Sequence, residues 1–497
     1  IGDFAFAVWD RKTNLLSVAR DATAQKPALL GRARDRVTAG SSMRMLLADP
    51  ELPREIDDDW VAAYLTGTPG FARATGYRAI ERLEPGHSAD AAWRQTPWWS
   101  WSFRRVVEPD DEAYAARLRA LLVEATRCRI DGATLPAISL SGGMDSTSVA
   151  AAMRLAHPDK EIVAVAVPFD DPRADEQALQ QAMAERIGAR LRWAPLTSVN
   201  PFGSSVEETL RRFGTPPVAP NHFFIDAVAT AAESEGADVA LDGIDGDGAL
   251  AGNWNFLSDL LVRGDFRSFR SELRETARQH HVPRGHVMKH YVLAPLIPAW
   301  LKRAVGRNVK TPDFIDEDFA RRTGLARRLN TAPWAPGRLF PKNERLSVDP
   351  GVAPAVLELI DELWALRGIE VAHPFGDRRL VQFCLGLPRE QKVRGGMTKI
   401  VLRNAVRDVV PSEVVDRAAK AEMGSAFVKG LLTEGKSVVQ EGLSSLRANP
   451  SPWTNPTGAG RLAERYGEGH DAFDALRVAF VAEWRGWISA VAPSNSV

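Results

Sequence analysis

A chain of 497 residues is too long for one ordinary hydrophobic core, so two or three domains are expected. Hydrophobic residues at 45% and charged residues at 25%, with 63 basic and 63 acidic side chains, match a globular protein in water and offer no footprint for nucleic acid or a membrane surface. No apolar run approaches transmembrane length and no signal peptide is visible; the two cysteines, Cys128 and Cys384, are too few for a disulfide framework or a zinc site, which fits a reducing, cytoplasmic setting.

The chain opens in strand. FAFAVWD alternates and is rich in aromatics, RKTN turns, and LLSVARD forms a second strand. A hairpin at residue one with no preceding partner predicts an incomplete β-rich domain, running to about residue 105. Within it, helices are expected over Ser41 to Ala48 and over DDDWVAAYLTG, with Asp57 or Asp58 as the N-cap of the latter. A Pro85–Gly86 turn follows, and the pair Trp98–Trp99 closes the segment, where packing between domains is the expected role.

From Glu108 the pattern becomes helical, with Tyr114, Leu118, Leu121, Leu122 and Ala125 at three-four spacing. Next comes a short apolar run, Ala133 to Ile138, then LSGGMDSTS (Leu140 to Ser148), then a helix. Strand, glycine-rich turn and helix in that order aim backbone N–H groups and a helix dipole at one point. Gly142 and Gly143 let the backbone approach an anion, Ser141 and Ser146 offer hydroxyls, and Asp145 offers a carboxylate for magnesium. The pattern is neither GxxxxGK[ST] nor GxGxxG.

EIVAVAVPF (Glu161 to Phe169) reads as a buried parallel strand, a helix runs on to Gly188, and RWAPL returns to the sheet. A third strand, Ala237 to Gly243, ends among Asp242, Asp245 and Asp247. This alternation predicts a doubly wound α/β sheet with its ligand at the carboxyl ends of the strands. Asp145 and Asp247, on two different loops, would then hold one magnesium ion against a triphosphate. Taken alone, the third strand end reads as an Asp/Gly-rich turn with solvated carboxylates, and only its place beside SGGMDS favours the metal site.

Residues from about 250 to 345 read as uneven helix around a basic, proline-punctuated stretch (PLIPAWLKRAVGRNVKTPDF), which is a solvated face or a variable cover over the site. Two further segments follow, GIEVAHPFGDRRLVQFCLGLP and GGMTKIVLRNAVRDVVPSEVVDR. In the second, Lys399 and Arg403 lie four apart on a predicted helix and would share a face. The final helix, DALRVAFVAEWRGWISAV, is expected to pack.

SGGMDS resembles the pyrophosphate loop of the N-type ATP pyrophosphatases, which split ATP into AMP and pyrophosphate. GDFAFAVWD, ARDATAQKP, IERLEPGHS and WW together resemble the second half of the glutaminase domain of asparagine synthetases. In that family the nucleophilic cysteine and the glutamine contacts lie upstream of this point, so nothing in the first hundred residues is expected to be catalytic. HPFGDRRL and TKIVLR extend the resemblance over nearly the whole chain.

The implied fold is a truncated N-terminal β-rich, Ntn-type glutaminase-like domain over residues 1–105. Over 106–497 it is followed by a doubly wound parallel-sheet ATP pyrophosphatase domain, adenine nucleotide alpha hydrolase-like, with a helical C-terminal part. The resemblance implies ATP and Mg2+ as cofactors. ATP would lie at Leu140, Ser141, Gly142, Gly143, Asp145 and Ser146, with Val167 beside the adenine and Asp242 and Gly243 at the third strand end. Magnesium would lie at Asp145 and Asp247, and Lys399 and Asp247 would be catalytic. Only the resemblance raises Lys399 above an ordinary surface lysine.

Two departures bear on the substrate. Where asparagine synthetases read SGEGADE this chain reads DGIDGDG, so that Ile244 replaces a glutamate and Gly248 an acidic residue. LELIDELWALRGIEV also lacks the LLxKVDRxSM stretch. ALRGIEVAHPFGDRRLVQFCLGLP, and upstream PAWLKR and FIDEDFARRTGLARRL, are more similar to the lasso peptide macrolactam cyclases. The expectation is an ATP-dependent ligase that adenylates an Asp or Glu side chain and couples it to a peptide's own N-terminal amine. Its substrate would be a small-molecule or peptide carboxylate and its partners a precursor peptide and that peptide's processing protease, with no nucleic acid and no membrane. The alternatives are a glutamine-hydrolysing asparagine synthetase and a catalytically silent scaffold.

Overall fold

The computed structural model describes residues 2–34, 36–68, 70–194, 206–219, 221–250, 252, 254–297, 309–331, 351, 353–418, 421–448 and 451–491. The expected hairpin forms from β1 (Ala5–Asp10) and β2 (Leu15–Arg20), with Trp9 opposite Leu16. Further strands are β3 (Leu29–Ala33), β4 (Arg36–Gly40), β5 (Ile80–Arg82), β6 (His87–Asp90) and β7 (Gln95–Pro97). They build two antiparallel sheets, ordered β1-β2-β6-β7 and β4-β3-β5. The helix Asp58–Thr66 starts where Asp57 accepts the Trp60 N–H and stops at Gly67, whose φ of 61° breaks the helix.

The second part is organised on a five-stranded sheet of β8 (Pro136–Ser139), β9 (Val163–Ala166), β10 (Arg190–Trp193), β11 (Val239–Leu241) and β12 (Glu370–Ala372). All its pairings are parallel, and the order is β10-β9-β8-β11-β12. The chain therefore winds outward from β8 in one direction and then resumes beside β8 with β11. That reversal opens a crevice beyond the carboxyl ends of β8 and β11, where doubly wound sheets bind ligands. β9 is shorter than the apolar run Glu161 to Phe169 that announced it, and β12 was not anticipated. The described part of the segment 250–345 is helical, as expected, but most of the basic run, residues 298–308, lies outside the described residues.

The two parts share one core. Trp484, on the C-terminal helix Ala472–Val491, meets Trp60 edge-on at 5.4 Å and Tyr77 at 5.6 Å, so that helix packs as expected. Trp99 is covered by the Arg378 guanidinium at 4.2 Å, which places the tryptophan pair at the junction of the two parts. Arg82 of β5 and Glu358 of the helix Ala353–Ala365 form an ion pair across the same junction at 2.7 Å, with side chains 5% and 10% exposed. Replacing Arg82 by methionine strands a buried carboxylate, and should cost about 3–5 kcal/mol. Urea unfolding will show it, and the double variant Arg82→Met/Glu358→Leu should regain most of the loss. Among the described residues no helix is long and apolar enough to cross a membrane.

Candidate active site

The loop after β8 is pinned before it can meet any ligand. Leu140 donates its N–H to the Val165 carbonyl at 2.8 Å and accepts from Gln180 Nε2 at 3.3 Å, so both its main-chain groups are engaged. Ser146 sits in the first turn of the helix Met144–Ala156. Its Oγ accepts the Ser141 N–H at 3.0 Å and lies 2.8 Å from Ser141 Oγ, which in turn accepts the Gly143 N–H at 3.2 Å. The two hydroxyls expected to face an anion therefore close the loop on itself. No side chain caps that helix, so its first-turn N–H groups and its dipole stay directed at the crevice.

Gly142 donates its N–H to Glu176 Oε2 at 3.0 Å, and Glu176 is also paired with Arg417 at 2.5 Å. A Cβ on Gly142 would lie 2.8 Å from the Glu176 Cβ, so only glycine allows this approach.

The loop after β11 lies directly against the first loop. A Cβ on Gly243 would stand 2.5 Å from the Ser146 backbone nitrogen, and one on Gly246 would stand 2.5 Å from Asp145 Cγ. These two bare positions bring the carboxylates of the two loops together. Asp145 and Asp247 converge on the ammonium of Lys399, whose Nζ is 2.5 and 2.6 Å from the two Asp145 oxygens and 2.7 Å from Asp247 Oδ1. The Lys399 side chain is only 2% exposed, whereas that of Asp247 is 58% exposed at the rim.

Lys399 reaches this point by an unexpected backbone route. It does not share a helix face with Arg403. A hairpin of β13 (Val393–Arg394) and β14 (Met397–Thr398) turns at Gly395 and Gly396, both at positive φ, and delivers Lys399 at φ 58°. The helix Ile400–Val406 begins only after it, with the Arg403 N–H bonded to the Lys399 carbonyl at 3.0 Å. Arg403 lines the same pocket, with its guanidinium bonded to the carbonyls of Thr398 and Val415.

Of the other expected residues, Asp242 braces the turn. It accepts the Ile244 N–H at 3.0 Å and pairs with His373 Nδ1 at 2.7 Å. Burial opposes charge on His373, but the neighbouring Asp242 and Asp245 carboxylates outweigh it and raise the imidazole above its ordinary value. Ile244 packs against the core. Val167 stands one residue beyond β9 at the same sheet edge, with its side chain buried in the core.

Gly142, Asp145, Glu176, Lys399, Arg403 and Arg417 are among the residues lining a pocket of about 210 Å³. Glu176, His373 and Arg417 were missed in the sequence. His373 had a local signal in the HPF triplet directly after β12, and Arg417 ends the segment GGMTKIVLRNAVRDVVPSEVVDR. Among the described residues no cluster of three or more His, Cys, Asp or Glu is placed to hold a metal, and the two carboxylates brought together here are Asp145 and Asp247. Those two fit a magnesium that takes its remaining ligands from phosphate and water, because both already reach a single cationic centre.

The profile of the asparagine synthase family matches residues 117–489. The chain belongs to the asparagine synthase family. Residues 1–99 match a glutamine amidotransferase domain, so the β-rich first part and the parallel-sheet second part both find their counterparts in asparagine synthetases. The chain is 23% identical to a glutamine-hydrolysing asparagine synthetase 3 of Bacillus subtilis (strain 168), over 84% of its own length and 66% of that protein's. It is 24% identical to a putative glutamine-hydrolysing asparagine synthetase of Mycobacterium bovis, over 84% of this chain and 66% of the relative. An amidase, chyE, of Penicillium rubens is 23% identical over 85% of this chain and 69% of its own length. The chain thus spans about two thirds of the length of these three relatives.

Proposed function

We propose that this chain is an ATP-dependent amide ligase, which adenylates a carboxylate with release of pyrophosphate and passes the acyl group to an amine. The observation that carries this reading is the meeting of Asp145, Asp247 and Lys399 in the crevice between β8 and β11. The turn from Gly142 into the helix Met144–Ala156 supplies N–H groups and a positive dipole end for the pyrophosphate. Asp145 and Asp247 would hold magnesium, which when bound neutralises charge on the phosphates. Lys399, enclosed beside the same pocket, is the cation available to the charge that develops on the α-phosphate and on the tetrahedral adduct. Arg417 and Arg403 add positive charge to the pocket wall.

For the acyl acceptor, the lasso-type reading is supported by Ile244. At the position of the family's glutamate stands an apolar side chain packed on the core, which removes a carboxylate from the substrate end. The acid would be an Asp or Glu side chain of a peptide, and the amine that peptide's N-terminus. A precursor peptide and its protease would be the partners. The asparagine synthetase reading is favoured by the names of the Bacillus and Mycobacterium relatives.

One experiment separates these readings. The purified protein, ATP and Mg2+ are mixed either with a linear peptide that carries a free N-terminus and an internal Asp or Glu, or with aspartate and ammonium. AMP and pyrophosphate are then measured. Turnover with the peptide alone, accompanied by loss of one water from the peptide mass, is the expected result. Turnover with aspartate and ammonium alone establishes the asparagine synthetase instead. No ATP binding by calorimetry leaves a silent scaffold.

A further inference from the structure

The loop that carries Asp247 is gripped from beneath by the N-terminal part of the chain. Asp245, two residues earlier, has φ 70°, a left-handed conformation that glycine adopts far more readily than an L residue. Its carboxylate accepts from Gln25 Nε2 at 3.3 Å. Gln25 is itself only 3% exposed and sits in a rigid turn. In that turn the Asp21 carboxylate accepts the N–H groups of Thr23, Gln25 and Lys26 at 3.0, 2.9 and 3.0 Å.

The same turn locks onto a second element of the site. Thr23 Oγ1 donates to the Gly376 carbonyl at 2.8 Å, and a Cβ on Gly376 would fall 2.2 Å from Gln25 Nε2. Gly376 lies in the turn directly after His373, the residue that braces Asp242 at the start of the Asp247 loop. One rigid turn of the N-terminal part therefore touches the loop at Asp245 and backs the His373 segment that holds its other end.

We propose that Gln25 and Asp245 are a positioning pair, through which the N-terminal domain fixes the loop that presents Asp247 to the crevice. What Asp247 does there rests on the function proposed above; the tie itself does not. Loosening the pair lets the Asp247 loop sample more conformations, so a cation finds its second carboxylate less often in place. The effect belongs in the Mg2+ concentration needed for half-maximal turnover, with turnover at saturating Mg2+ close to wild type.

The test uses Gln25→Leu, Asp245→Gly and Asp245→Asn in the full chain. Asparagine tolerates the left-handed region and still offers Gln25 an oxygen, whereas glycine relaxes the backbone and removes the partner. Hydrogen exchange of the amides of residues 242–248, without nucleotide or metal, should quicken roughly tenfold in Gln25→Leu and Asp245→Gly, the scale of one lost part-buried hydrogen bond. Asp245→Asn should stay within about twofold of wild type on the same scale. The Mg2+ half-saturation of pyrophosphate release should move by the same factors.

Exchange in Asp245→Gly as slow as in wild type overturns the proposal. So does Asp245→Asn behaving like Asp245→Gly. Should Gln25→Leu unfold the N-terminal part, Asp245→Gly decides alone, because it acts from the loop side and relieves strain. Faster exchange in a protein that releases no pyrophosphate with any acid keeps the tie and removes the functional reading.

Discussion

Asp247→Asn will reduce substrate-dependent pyrophosphate release by at least about a thousandfold, with little change in melting temperature. The two halves of this expectation have different physical sources. Asp247 is 58% exposed at the crevice rim, so its ion pair with Lys399 is largely screened and adds little to stability. Asparagine keeps the shape of the side chain and removes only its charge. Lys399 retains both oxygens of Asp145 and stays paired, so the fold has no buried charge left uncompensated. A divalent cation held as proposed would, by contrast, lose one of the two carboxylates that meet at Lys399 Nζ. A phosphate-release assay coupled to pyrophosphatase, read beside a thermal melt, checks both halves. Unchanged release would remove Asp247 from the magnesium assignment.

Much of the site could be read from residues that are consecutive in the chain. SGGMDS announced a strand–turn–helix, and DGIDGDG announced a second glycine-bearing strand end; two such ends facing each other in a parallel sheet were enough to bring Asp145 and Asp247 together. What stayed hidden depended on contacts between distant segments. β12 is three residues long and, among the described residues, paired only to β11, too short for any period to register. Glu176 meets Gly142 through a helix start 34 residues away, and Arg417 joins them from the far end of the chain.

Local propensity also misled at one position. TKIVLR reads as continuous helix, yet Lys399 is held left-handed because its N–H is tied to the Lys392 carbonyl at 2.6 Å and its ammonium to two carboxylates. Tertiary ties won over helix preference there. Ser141 and Ser146 show the opposite error: their type was right for an anion loop, but their hydroxyls are used to shape it. The tie between Gln25 and Asp245 had no signature at all, since neither residue type is unusual in a turn.

Lys399→Met should lower pyrophosphate release by about a hundredfold to a thousandfold, the range for removing one preorganised charge from a developing oxyanion. The fold will register the change as well. The Lys399 side chain is 2% exposed and its ammonium is a counter-ion of Asp145, itself 18% exposed, so methionine removes the ammonium bonded to a largely enclosed carboxylate. Removing one member of a buried pair costs about 3–5 kcal/mol; the open rim at Asp247 sets that as an upper bound.

The two losses respond differently to magnesium. In the variant the two carboxylates are free of the ammonium that wild type places between them, so Mg2+ can settle there and should raise the melting temperature more than it does for wild type. Activity should not recover with it, because an ion held by the two carboxylates would not replace the charge that Lys399 is proposed to supply to the acyl side of the pocket. Lys399→Arg should fail similarly: a planar guanidinium is too broad for a site that leaves the lysine side chain 2% exposed with Nζ 2.5 to 2.7 Å from carboxylate oxygens. Should Mg2+ restore both stability and turnover to Lys399→Met, the lysine is only a counter-ion for the metal site, and the charge-stabilising role assigned to it falls.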